Sequence, residues 1–351
     1  MNKKPNGANL ALYRKYRPVN FKDVVGQENI VKVLEASIKA GNPAHAYLFS
    51  GSRGTGKTSV ARILAKAIGT SDNDLVEIDA ASNRGIDDIR ELREAVRTNP
   101  FDSDYKVYII DEAHMLTKEA FNALLKTLEE PPKHAIFILA TTEIEKLPET
   151  VVSRCQSFSF KKPSEEILKN VTLDVAKKEG YTIEPSGAEL IALLGDGSFR
   201  DALGILQKVM GFSKDKKISR TEIEEITGAP SAKLINDFIL AILKKDAELG
   251  MSAITEAKKQ NIDMKVYMKL ILHKLRLALL IKYAPLIGKK LMSELGEEDN
   301  IFMERIMKPY STGISSGLLR ELLDCYSQID CSFIPELPLE LALVKIVGQD
   351  K

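Results

Sequence analysis

The run Gly51-Ser52-Arg53-Gly54-Thr55-Gly56-Lys57-Thr58 constrains this chain more than any other stretch. Its spacing, G-x-x-x-x-G-K-T, is that of a phosphate-binding loop. Gly51, Gly54 and Gly56 let the backbone wrap tightly, so that several N–H groups turn toward one anion. Lys57 brings a positive charge to the outer phosphates, and the Thr58 hydroxyl is fit to take one position on Mg²⁺. The flanks agree with this reading. Ala46-Tyr47-Leu48-Phe49 has the apolar character of a buried strand. Ser59 to Ile68 predicts a helix with Val60, Ile63, Leu64 and Ala67 on one face, and Gly69 supplies its stop. A strand feeding a glycine-rich loop and then a helix aims the helix N-terminus at the anion.

Lys106-Val107-Tyr108-Ile109-Ile110-Asp111-Glu112 is a second landmark, an apolar strand that delivers two carboxylates at its C-terminal end. In an open α/β sheet that edge is where ligands bind. Asp111 is suited to hold Mg²⁺, and Glu112 to polarise an attacking water as general base. On the residues alone, an N-cap cluster for the following helix is an equal alternative. Beside a phosphate loop the chemical reading prevails. Ala135 to Ala140 is apolar throughout, as a central strand covered on both faces should be. It delivers Thr141-Thr142 to the same edge, where a hydroxyl can bond a γ-phosphate or the water. One of the two threonines can equally cap the next helix.

The remaining elements place these landmarks. Leu12-Tyr13-Arg14-Lys15-Tyr16-Arg17-Pro18 is a basic, aromatic strip; its flat apolar surface suits the base of a nucleotide better than a solvated arm. Phe21 opens a helix through about Lys39. Leu75–Asp79 is a short strand, followed by a charged helix from Ile86 to about Thr98. The helix through Phe121–Glu130 ends at Pro131-Pro132. Phe158–Phe160 is an edge strand, and Ser164 to about Thr227 is helical in pattern. Gly228-Ala229-Pro230 marks a hinge. Beyond it the pattern predicts only helices, near 231–247, 250–260, 263–283, 298–308, 315–329 and 336–347.

Composition bounds the rest. A length of 351 residues suits two or three domains, and 44% hydrophobic with 28% charged residues is ordinary for a globular chain. Net charge is +1, so any nucleic-acid contact must come from a local patch or an assembly. Cys155, Cys325 and Cys331 form no C-x-x-C pair, which argues against a disulfide framework or a zinc ribbon and points to a reducing cytoplasm. The polar stretch Met1–Asn9 is no signal peptide. The apolar run Val266–Ile281 is broken by Lys269, His273, Lys274 and Arg276, so it predicts a buried helix and no membrane span.

These landmarks, with Ser153-Arg154-Cys155 and Gly197-Ser198-Phe199-Arg200-Asp201-Ala202-Leu203, follow the order seen in AAA+ clamp-loader ATPases. His45 to Gly51, Ile78 to Ser82, Phe121 to Pro132 and Leu139 to Thr142 resemble the bacterial gamma/tau family in particular, strongly over about residues 10–228. The resemblance implies an α/β P-loop domain over 1–163 with a parallel five-stranded sheet flanked by helices, an all-α lid over 164–228 and an all-α collar over 229–351. It implies a motor subunit of the DNA polymerase III holoenzyme that uses ATP and Mg²⁺ to open a sliding clamp and load it on primed DNA. Its partners would be copies of itself, delta- and delta-prime-type subunits, the clamp and DNA, with no membrane. It would make no phosphodiester bonds.

By the same resemblance, Gly51, Ser52, Arg53, Gly54, Thr55, Gly56, Lys57, Thr58 and Ser59 bind the phosphates, and Thr58 and Asp111 hold Mg²⁺. Asp111 and Glu112 form the acidic pair, and Thr142, rather than Thr141, senses the γ-phosphate. Arg154 is an arginine finger entering a neighbour's site; without the resemblance it reads as a surface ion pair. Arg200 senses nucleotide from the lid, and Arg17, Pro18, Val24 and Val25 line the adenine end. Arg84 and Lys126 are equally DNA contacts or solvated charges. The family's zinc loop is replaced by the short Gly69–Asp74, so no zinc is expected. The chain stops after the collar, as the shorter gamma form or a truncated tau form does. The rivals are a small subunit of an archaeal or eukaryotic-type loader, a non-hydrolysing AAA+ scaffold, and a P-loop metabolic kinase.

Overall fold

The computed structural model describes residues 10–83, 85–294 and 296–348. Arg84 and the stretch Met1–Asn9 lie outside them. The chain divides into two compact units. One runs to Val171 and takes in Gly195–Gly204; the other comprises Thr172–Leu194 and the chain from Ile205 on.

Five parallel strands carry the first unit: β1 (Ala46–Ser50), β2 (Leu75–Asp79), β3 (Lys106–Asp111), β4 (Ala135–Thr141) and β5 (Gln156–Ser159). Their order is β2-β3-β4-β1-β5. The expected sheet is thus present, and the period of two in its strands explains its layers. Tyr47, Phe49, Val107, Ile109, Ile136 and Ile138 meet Val60, Ile63 and Leu64 in one core. The alternate residues Leu48, Tyr108, Ile110, Phe137 and Leu139 meet Ile89, Phe121, Leu124 and Leu128 in the other. Central strands buried on both faces must be apolar at every position, and β1 and β4 are buried throughout. The helices of this unit are α1 (Leu12–Lys15), α2 (Glu28–Lys39), α3 (Lys57–Ile68), α4 (Ile86–Val96), α5 (Lys118–Glu129) and α6 (Glu149–Val152).

Two boundaries here differ from the sequence expectation. The helix expected from Phe21 is only a 3-10 turn, Phe21–Asp23, and α2 begins at Glu28. Gly26 between them has φ +77°, which no right-handed helix can contain. The phosphate-loop helix starts at Lys57 rather than Ser59, so the loop lysine and threonine form its first turn.

The helices that follow are α7 (Glu165–Lys178), α8 (Pro185–Leu194), α9 (Phe199–Phe212), α10 (Arg220–Thr227), α11 (Ala232–Lys244), α12 (Ala247–Lys259), α13 (Met264–Tyr283), α14 (Pro285–Glu294), α15 (Glu297–Met307), α16 (Ser316–Ile329) and α17 (Leu337–Gly348). A two-residue parallel pair, β6 (Thr182–Ile183) and β7 (Lys217–Ile218), interrupts the expected all-helical stretch. Such a short pair leaves no detectable period in a sequence. Helix α14 was also unexpected. Pro285 looks like a stop, yet it is the first residue of the new helix, where its missing N–H is no loss. In α13, Lys274 is buried and pairs with Asp299 at 2.5 Å, and Arg220 bonds Asp299 and Glu224 at 3.0 Å each. Burial opposes the Asp299 charge, but the two cations hold its carboxyl below the usual range. No single helix among the described residues is long and apolar enough to cross a membrane.

At the sheet end away from the phosphate loop, Asp74 ties the entries of β2 and β3 together. Its carboxylate accepts the N–H groups of Phe101 at 2.5 Å, Asp102 at 2.8 Å and Ser103 at 2.9 Å, and the Ser71 hydroxyl at 3.1 Å. Burial disfavours the charge, but these donors outweigh it and hold the carboxyl well below the usual range. A depressed folded-state pKa stabilises above the unfolded pKa and loses that contribution as pH falls. Asp74→Ala should therefore unfold at lower urea than wild type at neutral pH, and the gap should narrow as pH drops below about 4. Urea melts of both proteins across that range check the sign.

Candidate active site

The phosphate loop is fastened to its sheet before any side chain acts. Ser50 of β1 pairs with Thr141 of β4, and the Gly51 N–H donates to the Thr141 carbonyl at 3.2 Å. Gly51 has φ +143°, and a Cβ there would lie 2.4 Å from the Phe160 carbonyl oxygen. At Gly54, φ is +75° and a Cβ would lie 2.0 Å from Ser198 Oγ; the Gly54 carbonyl accepts the Phe199 N–H at 3.1 Å. Lys57 Nζ folds back and donates to the carbonyls of Gly51 at 2.8 Å and Ser52 at 3.0 Å. The Thr55 hydroxyl donates to Ser52 at 2.9 Å. Loop closure thus turns carbonyls toward the lysine, which leaves N–H groups for an anion. No acid sits in the first turn of α3, so nothing there competes for its N-terminus. Burial lowers the Lys57 pKa; Glu112 and Asp111 oppose that shift, and Arg200 adds to it.

The acidic side comes from β3 and β4. Thr58 Oγ1 donates to Asp111 Oδ2 at 2.7 Å, which joins the loop to the end of β3. Asp79, at the end of β2, stands beside Asp111 in register. Glu112 follows with φ 49° and ψ 43°, a left-handed turn in a residue that has a Cβ. Thr141, the last residue of β4, and Thr142, just after it, separate cleanly. Thr142 Oγ1 donates to Glu112 Oε2 at 3.3 Å. Thr141 is fully buried, and its hydroxyl oxygen accepts the Glu143 N–H at 3.0 Å.

A cavity of about 340 Å³ opens between these groups and the N-terminal strip. Arg17, Pro18, Val24 and Val25 line it, as do Arg53 through Ser59, Asp111, Glu112 and Arg200. Arg17 is held below its usual pKa by burial and by Arg62, with Glu77 opposing and Arg200 and Arg14 adding to the shift. The Arg200 guanidinium lies 5.6 Å from the Tyr13 ring centroid, a cation–π contact. Gly51, Ser52 and Thr142 stand behind the lining residues and act on it through Lys57 and Glu112. Arg154 is elsewhere: it pairs with Glu129 at 2.6 Å and donates to the Thr150 carbonyl at 2.7 Å. Lys126 is exposed on α5.

Sequence reasoning missed Asp23, Asp79, Val171, Phe199 and Leu203 as lining residues. Two of them carried a readable signal. Phe199 and Leu203 are four apart on one helix and share a face, and Arg200 and Leu203, three apart, are neighbours on it. Asp79 ends a parallel strand at the same edge as Asp111. Val171 offered none.

A family model described as DNA polymerase III, delta subunit, matches residues 26–77 and 69–164, which include the loop and the acidic pair. The tau subunit of DNA polymerase III from Bacillus subtilis is 39% identical over 362 aligned positions, 96% of this chain. The gamma/tau subunit from Mycoplasma genitalium is 41% identical over 278 positions, 73% of this chain. The chain belongs to the gamma/tau family of DNA polymerase III subunits. It spans 63% and 47% of the length of these two relatives. In three dimensions, the RuvB Holliday junction branch migration motor of Thermotoga maritima matches with a TM-score of 0.52 at 24% identity, covering 67% of this chain and 80% of that one. That likeness speaks to the fold alone.

Gly54 is the point where this gamma/tau-family loop meets Ser198 and Phe199 most closely. Gly54→Ala meets both a left-handed φ and a side chain in the way, so it should lower unfolding stability by about 1–3 kcal/mol. Chemical denaturation of the two proteins measures the difference.

Proposed function

We propose that the chain is the ATP-hydrolysing motor of a bacterial clamp loader, assembled with copies of itself and with delta- and delta-prime-type subunits. It uses ATP to open a sliding clamp and load it on primed DNA. One observation carries this reading: the 2.7 Å bond from Thr58 to Asp111 brings the phosphate loop and the acidic strand end to one cavity. Thr58 Oγ1 and Asp111 offer an all-oxygen donor set, which suits Mg²⁺; the ion would neutralise charge on the β- and γ-phosphates. Lys57 and the N-terminus of α3 take the phosphates. Arg17, Pro18, Val24 and Val25 take the adenine. Glu112 accepts the proton of the attacking water while the bond from the γ-phosphorus to the ADP oxygen breaks, and Thr142 keeps Glu112 oriented. Arg200 reads the phosphates from within its own chain.

Arg154 is the finger supplied to a neighbouring subunit, and its ion pair with Glu129 holds it until assembly. A guanidinium arriving in trans makes hydrolysis depend on the complex. Residues 164–228 serve as the lid and 229–351 as the collar. The intact set of Lys57, Thr58, Asp111 and Glu112 speaks against a non-hydrolysing scaffold.

ATPase assays of the chain alone, then with clamp, partner subunits and primed DNA, test the whole reading. Lys57→Ala should abolish ATP binding by calorimetry; normal affinity would sink the central claim. Arg154→Ala should leave ATP binding to the isolated chain unchanged yet cut DNA-stimulated turnover in the complex by about 10³-fold or more. Equal turnover would remove the finger role.

A further inference from the structure

The His114 ring has no part in the assignments above, yet it stands among three oxygens of the site. It lies in the 3-10 turn Ala113–Met115, directly after Glu112 and Ala113, and its side chain is only 7% exposed. Nδ1 is 3.1 Å from Thr141 Oγ1 and 3.6 Å from Glu112 Oε2, while Nε2 is 3.2 Å from Glu143 Oε1. A carboxylate offers only lone pairs, so the Nε2 edge that faces Glu143 carries a hydrogen. Nδ1 shares a hydrogen bond with the Thr141 hydroxyl. The Thr141 oxygen in turn accepts the Glu143 N–H at 3.0 Å. Bonded at both ring nitrogens, the imidazole is held in its plane.

Glu112 is the group on which that lock acts. On one side its Oε2 stands 3.6 Å from Nδ1 of the ring, too distant for a hydrogen bond. On the other, the Thr142 hydroxyl donates at 3.3 Å. The ring therefore closes one direction to the carboxylate and leaves Thr142 as its donor. We propose that His114 is a positioning residue for Glu112, which fixes where the carboxylate stands relative to the water it activates. This rests on the general-base role given to Glu112 above. The same ring reaches the phosphate loop, because the Thr141 carbonyl accepts the Gly51 N–H.

A positioned base contributes about 10²–10⁴ in rate, so a loosened one shows in turnover and leaves nucleotide affinity intact. The test uses the chain assembled with its loader partners, clamp and primed DNA. It compares wild type, Glu112→Gln, His114→Leu and His114→Gln. Leucine fills the volume without a polar atom, and glutamine restores a donor toward Glu143. Wild-type turnover no higher than that of Glu112→Gln would fail the general-base reading itself, whatever His114 does. With that control in hand, His114→Leu should lower kcat at least about tenfold. Its ATP dissociation constant and Tm should match wild type, and His114→Gln should regain part of the loss. Three results would overturn the proposal: His114→Leu turning over within about twofold of wild type, ATP affinity falling in parallel with turnover, or a glutamine variant no better than leucine. If the leucine variant fails to assemble, Thr141→Val, which removes the ring's anchoring hydroxyl and keeps its shape, takes its place under the same kcat and affinity outcomes.

Discussion

Parallel pairing of β1 with β4 and of β2 with β3 sets Ser50 beside Thr141 and Asp79 beside Asp111. All four residues end their strands at one edge of the sheet. In a parallel sheet every strand leaves at the same edge, so the loops that follow converge without any side chain directing them. A slip of one residue in either pairing would turn each functional side chain to the opposite face. The apolar period of two prevents that slip. Exchanging Leu48 with Tyr47, or Ile110 with Ile109, would move each into the wrong core layer. The packing of residues with no chemistry thus sets the accuracy of those that have it.

Much of this was legible in the sequence because the signals are local. A loop that must wrap an anion needs glycines and a lysine at fixed spacing, and a doubly covered strand must be apolar throughout. The five strands and the grouping of Arg53 to Ser59 with Asp111 and Glu112 follow from such signals. What escaped was non-local or very short. The cavity takes Val171 from α7, and nothing near Val171 in the chain distinguishes it from a core valine. The β6–β7 pair has two residues per strand and no period to detect. Pro285 does not announce α14, because proline both ends helices and begins them.

Electrostatics divide the two units by purpose. In the second, Lys274 and Arg220 pair with Asp299 and Glu224, two charges of each sign. In the first, burial and the like charges of Arg62, Arg200 and Arg14 bear on Arg17 against the opposing Glu77, a strain that a polyanion would relieve. Paired charges of the first kind build structure; a half-buried cation crowded by others beside a cavity suits an anionic ligand.

The left-handed backbone at Glu112 sets stability against chemistry. A residue with a Cβ in that conformation carries about 1–3 kcal/mol of strain that glycine or asparagine would largely release. Drift toward either would make the turn more comfortable and remove the carboxylate. Retention of glutamate there is therefore worked against by the fold itself. A screen that selects variants of this chain for thermal robustness alone would be drawn to position 112 early and, on the general-base role proposed for Glu112, would return well-folded proteins that hold nucleotide without consuming it.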